Sequence, residues 1–219
     1  MDGVNQRRIG GSHGRRRIQH WAFNQIYRHG RWLYDPLARI VFGGEWDRWR
    51  RVALPFVNGS PVLDLGCGSG ALLPLLSAEG RLVVGLDHSP SMLAAAGKHR
   101  VRQTALIRGD ALELPFADHS FGSVVATFPA PYILDARTLD EIARILRAGG
   151  AFVVVMSGRI ERWAARRLPV RIALALFYGR KRPARGTGGW TLAHPSLPGD
   201  WRDIPTRDGF ALTWVAHRI

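Results

Sequence analysis

The chain has 219 residues, 46% of them hydrophobic, which suffices for one well-packed domain and hardly for two. Its single cysteine, Cys67, excludes an internal disulfide framework and points to a reducing compartment. No window holds the roughly 18 uninterrupted apolar residues of a membrane span, and no apolar stretch follows Arg7, Arg8, Arg15, Arg16 and Arg17, so neither a membrane helix nor a secretory signal is read. Cytoplasm is the expected compartment. The net charge of +14 is unevenly placed: residues 1–51 carry 11 Lys/Arg against 4 Asp/Glu, residues 52–157 carry 8 against 9, and residues 158–219 carry 12 against 4. Basic flanks attract nucleic acid, anionic lipid or an acidic substrate without distinguishing among them. A GC-rich genome would explain the excess of arginine over lysine, but not its distribution.

Residues 1–17, rich in Gly, Arg and Ser, are expected to be a disordered basic tail. Residues 18–219 read as one domain, with N-terminal helices over 18–57, a ligand-binding core over 60–157, and a further helix, loop and last strand over 158–219. Ile18, Ala22 and Ile26 form a helical stripe beside Trp21. Asp35-Pro36 opens a second helix with Leu33, Leu37, Ile40 and Val41 on its apolar face, ending at Gly43-Gly44. A third covers Glu45 to Ala53. Strands then alternate with helices: strand Val62 to Leu65, helix Ala71 to Ala78, strand Leu82 to Leu86, and a helix opened by Ser89-Pro90. Thr104 to Ile107 and Ser123 to Phe128 are the next strands. Asp135 caps a helix with Leu139, Ile142, Ala143 and Leu146 on one stripe, closed by Gly149-Gly150, and Ala151 to Met156 is a fifth strand. Such alternation implies a parallel sheet covered on both faces. Residues 159–179 read as a basic helix kinked at Pro169, residues 180–208 mostly as loop, and Phe210 to Val215 as the last strand.

Chemistry concentrates at three strand ends. Val62-Leu-Asp-Leu-Gly-Cys-Gly-Ser-Gly70 runs from strand through Gly66, Gly68 and Gly70 into helix, a turn that lets a ligand lie against backbone N–H groups. The spacing is G-x-G-x-G, not the G-x-G-x-x-G of dinucleotide sites, and Asp64 just before it would repel a pyrophosphate and attract a ligand bearing an ammonium and a sulfonium. Asp87, ending the next strand, can accept from both hydroxyls of a ribose. Asp110, in Gly109-Asp110-Ala111 after the third strand, can accept from an exocyclic adenine amine, with Leu86, Met92 and Leu112 as apolar walls. No metal ligand set is read.

These stretches resemble the class I S-adenosylmethionine-dependent methyltransferases, in particular the broad methyltransferase type 11 group that includes the ubiquinone and menaquinone C-methyltransferases. The resemblance is carried by VLDLGCGSG at 62–70, VVGLDHSPSML at 83–93, GDALELPFADHSF at 109–121 and ILRAGGAFVVV at 145–155. It implies a Rossmann-like, doubly wound α/β sheet of order 3-2-1-4-5-7-6 with strand seven antiparallel, and S-adenosyl-L-methionine as cofactor. Carried over, Asp64 faces the methionine moiety, Gly66, Gly68 and Gly70 line the backbone, Asp87 holds the ribose, and Asp110 with Ala111 holds adenine. Cys67, His88, Met92, Leu112 and Phe128 complete the expected cofactor contacts. The pattern is departed from twice. Gly122 stands where the family usually has Asp, which is expected to have a structural cost. The last strand reads as strand six, so strand seven is expected to be missing.

Beside the core, Phe128-Pro-Ala-Pro-Tyr132 follows the fourth strand, where acceptors sit in such folds. It reads as an apolar acceptor wall or a plain rigid turn. Tyr34, Pro131, Tyr132 and Trp163 are the candidate acceptor residues. Cys67 reads as a small filler in preference to a redox thiol. His88 and His119 are candidate general bases or solvent-exposed loop residues. Arg159, Arg162, Arg166, Arg167 and Arg171 beside Trp163 and Leu168 suggest peripheral contact with an anionic membrane, or a solvated helix packed on the core. Trp21, Trp32, Trp46 and Trp49 are a lid over the cofactor or ordinary packing. The expected activity is methyl transfer to a small hydrophobic or lipid-like acceptor. The alternatives are an RNA methyltransferase using the Arg-rich flanks, disfavoured because no RNA-binding module is read, and a non-catalytic SAM-binding or regulatory protein.

Overall fold

The computed structural model describes residues 44–160 and 190–219. Its five parallel strands are β1 (Val62–Leu65), β2 (Val83–Asp87), β3 (Thr104–Arg108), β4 (Phe121–Thr127) and β5 (Leu146–Ile160). Two more, β6 (Gly199–Pro205) and β7 (Gly209–His217), form an antiparallel hairpin whose β7 pairs antiparallel with β5. The sheet order is β3-β2-β1-β4-β5-β7-β6.

Continuous apolar runs make the central strands because both faces are covered. On one face Val62, Val125, Val153, Val155 and Val215 pack against α1 (Glu45–Arg51), α2 (Leu73–Leu76) and α3 (Pro90–Ala96) through Trp46, Trp49, Leu73, Leu76 and Ala96. On the other, Leu63, Leu65, Val124, Phe152 and Val154 meet Leu139, Ile142 and Ala143 of α4 (Ala136–Ile145). The helix starts follow their caps. The Ser89 hydroxyl accepts from the Met92 N–H with Pro90 in the first turn, and the Asp135 carboxylate accepts from the Arg137 N–H. The shorter α2 replaces the helix expected over 71–78, followed by a 3-10 turn at Ala78–Gly80 where the backbone is left-handed at Glu79 and Gly80.

Strand seven is present, correcting the expectation that it is missing. The Phe210 to Val215 segment, read as strand six, belongs to β7, and strand six itself is β6, in a stretch read as loop. β6 escapes a pattern search because it is an edge strand whose Asp200, Arg202 and Asp203 face solvent around Trp201. The basic helix read from residue 159 is corrected in its first residues: Arg159 and Ile160 extend β5 and pair with Phe210 and Gly209. The remainder of that helix, both helices before residue 44 and the tail lie outside the described residues, as do Tyr34 and Trp163.

Two further readings change at the junction of β4 and β5. Gly149-Gly150 does not close α4, which ends at Ile145, but lies inside β5 where the register passes from Phe121↔Leu146 to Ser123↔Ala151. Gly122 sits at that irregularity against the backbone of residues 59 and 60. A Cβ there would approach Ser60 N to 2.8 Å and Gly59 Cα to 3.0 Å. Instead of carrying a structural cost, glycine is the residue that this packing admits. A second tie matters for the site. The buried carboxylate of Glu45 accepts from Arg48 Nη1 and from the Thr206 hydroxyl, each at 2.6 Å, fastening α1 to the β6–β7 turn.

Gly122→Ala is therefore expected to destabilise the fold by about 1–3 kcal/mol, the range for an overpacked methyl. Urea unfolding with an unchanged m-value checks this, and a variant as stable as the parent would contradict it.

Candidate functional site

Gly66, Gly68 and Gly70 all have positive φ, +73°, +54° and +78°, so the turn between β1 and α2 is built of conformations that side chains resist. The tip of β2 holds it. The Gly66 and Cys67 N–H groups donate to the Leu86 carbonyl at 2.7 and 3.0 Å, and the Gly68 N–H donates to Asp87 Oδ2 at 2.9 Å. Tyr132 covers Gly66 so closely that a Cβ would strike its hydroxyl, which donates to the Leu65 carbonyl at 3.2 Å.

The three acids stand at the carboxyl ends of three neighbouring strands. Asp64 is 1% exposed, and its Oδ2 has no hydrogen-bond partner among the described residues. Burial pushes its carboxyl up to about 7, Arg50 pulls it back, and Asp87 adds to the rise. Asp87 is held by two backbone donors, Ser89 N–H to Oδ1 at 2.8 Å and Gly68 N–H to Oδ2, which fixes its orientation and leaves lone pairs for further donors. Asp110 is exposed, and its Oδ1 accepts from the Leu112 N–H at 3.0 Å.

Of the remaining expected residues, Cys67 is buried. Burial and the negative Asp64 and Asp87 raise its thiol above the ordinary range, so it fills space and is no nucleophile. Met92 and Leu112 are half-buried, Ala111 is buried, and His88 is exposed. Leu86 is a core residue lying under Gly109 rather than a wall open to ligand. Phe128 takes a left-handed backbone (φ +50°) just past β4, with Trp46 stacked on it at 4.1 Å and Trp49 edge-on at 6.3 Å. Pro131 is exposed at the start of the 3-10 turn Pro131–Leu134, which presents Tyr132 to the glycine turn. His119 precedes β4, at the opposite end of the sheet from these groups, so it does not join the site.

Two contributors escaped the sequence reading. Arg50, on α1, is the cation whose field reaches Asp64. Its only sequence signal is its place one turn after Trp46. Arg144, on α4, shapes the loop after Asp110. It pairs with both oxygens of Glu141 at 2.8 Å and donates to the Phe116 and Leu114 carbonyls at 2.7 and 3.0 Å, while Glu141 accepts from the Leu114 N–H at 2.6 Å. On α4 both read only as the polar face.

The assembled donors and acceptors fit a ligand that is cationic at one end and carries hydroxyls and an amine at the other. A buried carboxyl oxygen stands ready for a cation, Gly68 opens on free space in the turn, and two acids stand at neighbouring strand ends. The sequence model of the methyltransferase-domain family matches residues 63–154. A demethylmenaquinone methyltransferase from Corynebacterium kroppenstedtii is 38% identical over 125 residues, covering 55% of this chain and 53% of the relative. One from Bacillus licheniformis is 31% identical over 158 residues, covering 68% and 66%. The chain thus spans about half the length of the first of these curated relatives and 66% of the second. A solved Pyrococcus horikoshii protein superposes with a TM-score of 0.55 at 19% identity, over 81% of this chain and 92% of that one. At that identity the likeness speaks for the fold alone.

The Asp64 carboxyl also sets a pH dependence. In the unfolded chain it titrates near 3.8 and in the folded protein near 7, so between those values the folded state binds more protons. Stability therefore falls as pH rises through that window, by about 4 kcal/mol for a shift of this size. Asp64→Asn is expected to be more stable than the parent at pH 8 and nearly equal to it at pH 4. Urea unfolding across pH 4–8 reads this directly, and identical slopes in the two proteins would refute it.

Proposed function

We propose that this chain, whose residues 63–154 match the methyltransferase-domain family, is a class I S-adenosylmethionine-dependent methyltransferase that transfers a methyl group to a small hydrophobic, lipid-like acceptor of the quinone type. The observation that carries this reading is the buried Asp64 oxygen beneath the glycine turn, with Asp87 and Asp110 at the next two strand ends. A wholly buried carboxylate is stabilised by a cation brought to it, and this donor carries one.

In this reading Asp64 faces the methionine end and the glycine turn offers its backbone to the ligand at Gly68, with Gly66 covered by Tyr132 and Gly70 packed on Leu73 and Ala96. Asp87 accepts from the ribose hydroxyls in the orientation its two backbone donors impose. Asp110 and Ala111, with Leu112 and Met92, receive the adenine, in a loop whose shape Arg144 and Glu141 hold. When bound, the cofactor supplies an electrophilic methyl group on a sulfonium, which a nucleophile takes by in-line displacement. The protein contributes positioning and exclusion of water. Phe128 and Trp46, stacked at the end of β4, wall off that side of the site, and Pro131 and Tyr132 offer an apolar approach for the acceptor.

The quinone-type acceptor is supported by the names of the relatives, demethylmenaquinone methyltransferases, and by the apolar composition of that approach. Peripheral contact with an anionic membrane would bring such an acceptor within reach of the basic flanks. Among the described residues no helix is long and apolar enough to cross a membrane.

Incubation with methyl-labelled S-adenosylmethionine and fractionated lipid, RNA and metabolite pools tests the proposal. Label is expected in the lipid fraction, in quinone precursors, and Asp87→Ala is expected to lower its incorporation roughly 10- to 100-fold through lost hydroxyl contacts. Label confined to RNA, or none anywhere from a protein that binds the donor, would overturn the acceptor assignment.

A further inference from the structure

The strand Val62–Leu65 is buried at all four positions, and Asp64 stands in it between two leucines with its Oδ2 lacking a donor among the described residues. A carboxylate sealed in this way has neither water nor an N–H to spread its charge. Without a bound cation its stable form is therefore the protonated one.

The groups that face it do not change this balance. Val62 and Asp64 are two residues apart in β1 and so share one face of the sheet, where Val125 is the β4 residue opposite Asp64. α2 and α3 cover that face with Leu73, Leu76 and Ala96, which carry no charge. From β2, Asp87 adds a second negative charge, and from the turn Cys67 contributes a thiol that burial keeps neutral. Among the described residues Arg50, on α1, is the cation that favours the ionised form, and burial outweighs it. Asp87 differs from Asp64 in having a backbone N–H on each oxygen, from Ser89 and from Gly68.

We propose that the ammonium of the cofactor's amino-acid end takes the place of a proton on Asp64, so that uptake of the donor releases a proton and weakens in acid. This rests on the reading that the site takes S-adenosylmethionine. The exchange is balanced: the carboxyl O–H breaks, its proton passes to water, and the carboxylate left behind pairs with the ammonium. The buried group is thus neutral overall at both stages, first through its proton and then through its ion pair, and a bare carboxylate is never left in the sheet. Loading of the site is thereby coupled to pH. Acid returns the proton to Asp64 and expels the donor, and the demethylated product, which carries the same ammonium, is affected alike.

Calorimetry on the full chain tests this with two ligands that share the adenosyl group and the thioether. S-adenosylhomocysteine carries the ammonium, and 5′-methylthioadenosine lacks the whole amino-acid end. Titrations at pH 6 in phosphate and in imidazole, whose protonation enthalpies differ, count the protons exchanged. About one proton is expected to leave with S-adenosylhomocysteine and none with methylthioadenosine. From pH 7 to pH 5.5 the first ligand should weaken roughly 10- to 20-fold and the second by less than about twofold. Asp64→Asn should bind S-adenosylhomocysteine without releasing a proton and without that slope, whereas His88→Asn, which alters the exposed titratable residue next to Asp87, should keep both. Binding of S-adenosylhomocysteine with no proton released and a flat pH profile overturns the exchange. Release that survives in Asp64→Asn, or vanishes in His88→Asn, places the proton elsewhere and overturns it as well. If Asp64→Asn binds too weakly to follow, the two-ligand comparison and the His88 variant decide the matter. Failure of the parent protein to bind either ligand would instead bring down the cofactor reading, and the exchange with it.

Discussion

A carboxyl group sealed inside the sheet is an unfavourable thing to build. Asp64 is flanked by leucines in a strand buried along its whole length, and one of its oxygens meets no donor among the described residues. Desolvation of that kind raises the affinity of the group for a proton or any other cation, and it makes the folded protein less stable at neutral pH than it would be with a neutral side chain there. Sites that trade stability for binding are arranged in this way. Of the three left-handed glycines, Gly68 opens on free space while Gly66 is covered by Tyr132 and Gly70 packs on Leu73 and Ala96, and the Leu86 carbonyl and Asp87 tie the turn to the neighbouring strand.

Around this centre the fold supplies supports of different kinds. Asp87 is oriented by two backbone donors, and its position depends on the β2 tip rather than on side-chain packing. The loop bearing Asp110 is held from a distance by Arg144, which binds two carbonyls, Glu141 and Asp118 at once. The end of β4 depends on aromatic packing, with Trp46 stacked on Phe128 and Trp49 edge-on to it. A rigid scaffold with irregular segments at its strand ends is the general arrangement by which folds of this type carry ligands.

Much of this was legible in the residues. The three acids and the glycine turn announce themselves because their chemistry is local: each follows a short apolar run, and backbone geometry alone brings them to one edge. The caps at Ser89 and Asp135 were equally readable. What escaped was whatever depends on contacts distant in sequence. β6 has the sequence Gly-Asp-Trp-Arg-Asp-Ile-Pro, with charges on its outer positions and only β7 to bond, so no apolar run betrays it. Gly122 looked like a loss until the backbone of residues 59 and 60 was found against it. Arg50 looks like any polar helix residue, and its relation to Asp64 exists only once α1 has been laid across the sheet. Of the two readings of Trp46 and Trp49, the structure shows the packing one, both side chains being buried in the core.

The bond between Glu45 and Thr206 joins residues 161 positions apart. During synthesis from the N-terminus, α1 is made long before the turn that receives it. Until residues 199–217 have been added, Trp46 and Trp49 lack part of their seat and Glu45 lacks one of its two partners. The nascent chain thus carries an exposed aromatic helix through most of its translation, a condition that favours premature association and invites chaperone protection. The Glu45–Thr206 bond and the β7 part of the α1 seat thus form only once the last strands of this chain have been made, while Val62, Val125, Val153 and Val155 supply the rest of that seat earlier.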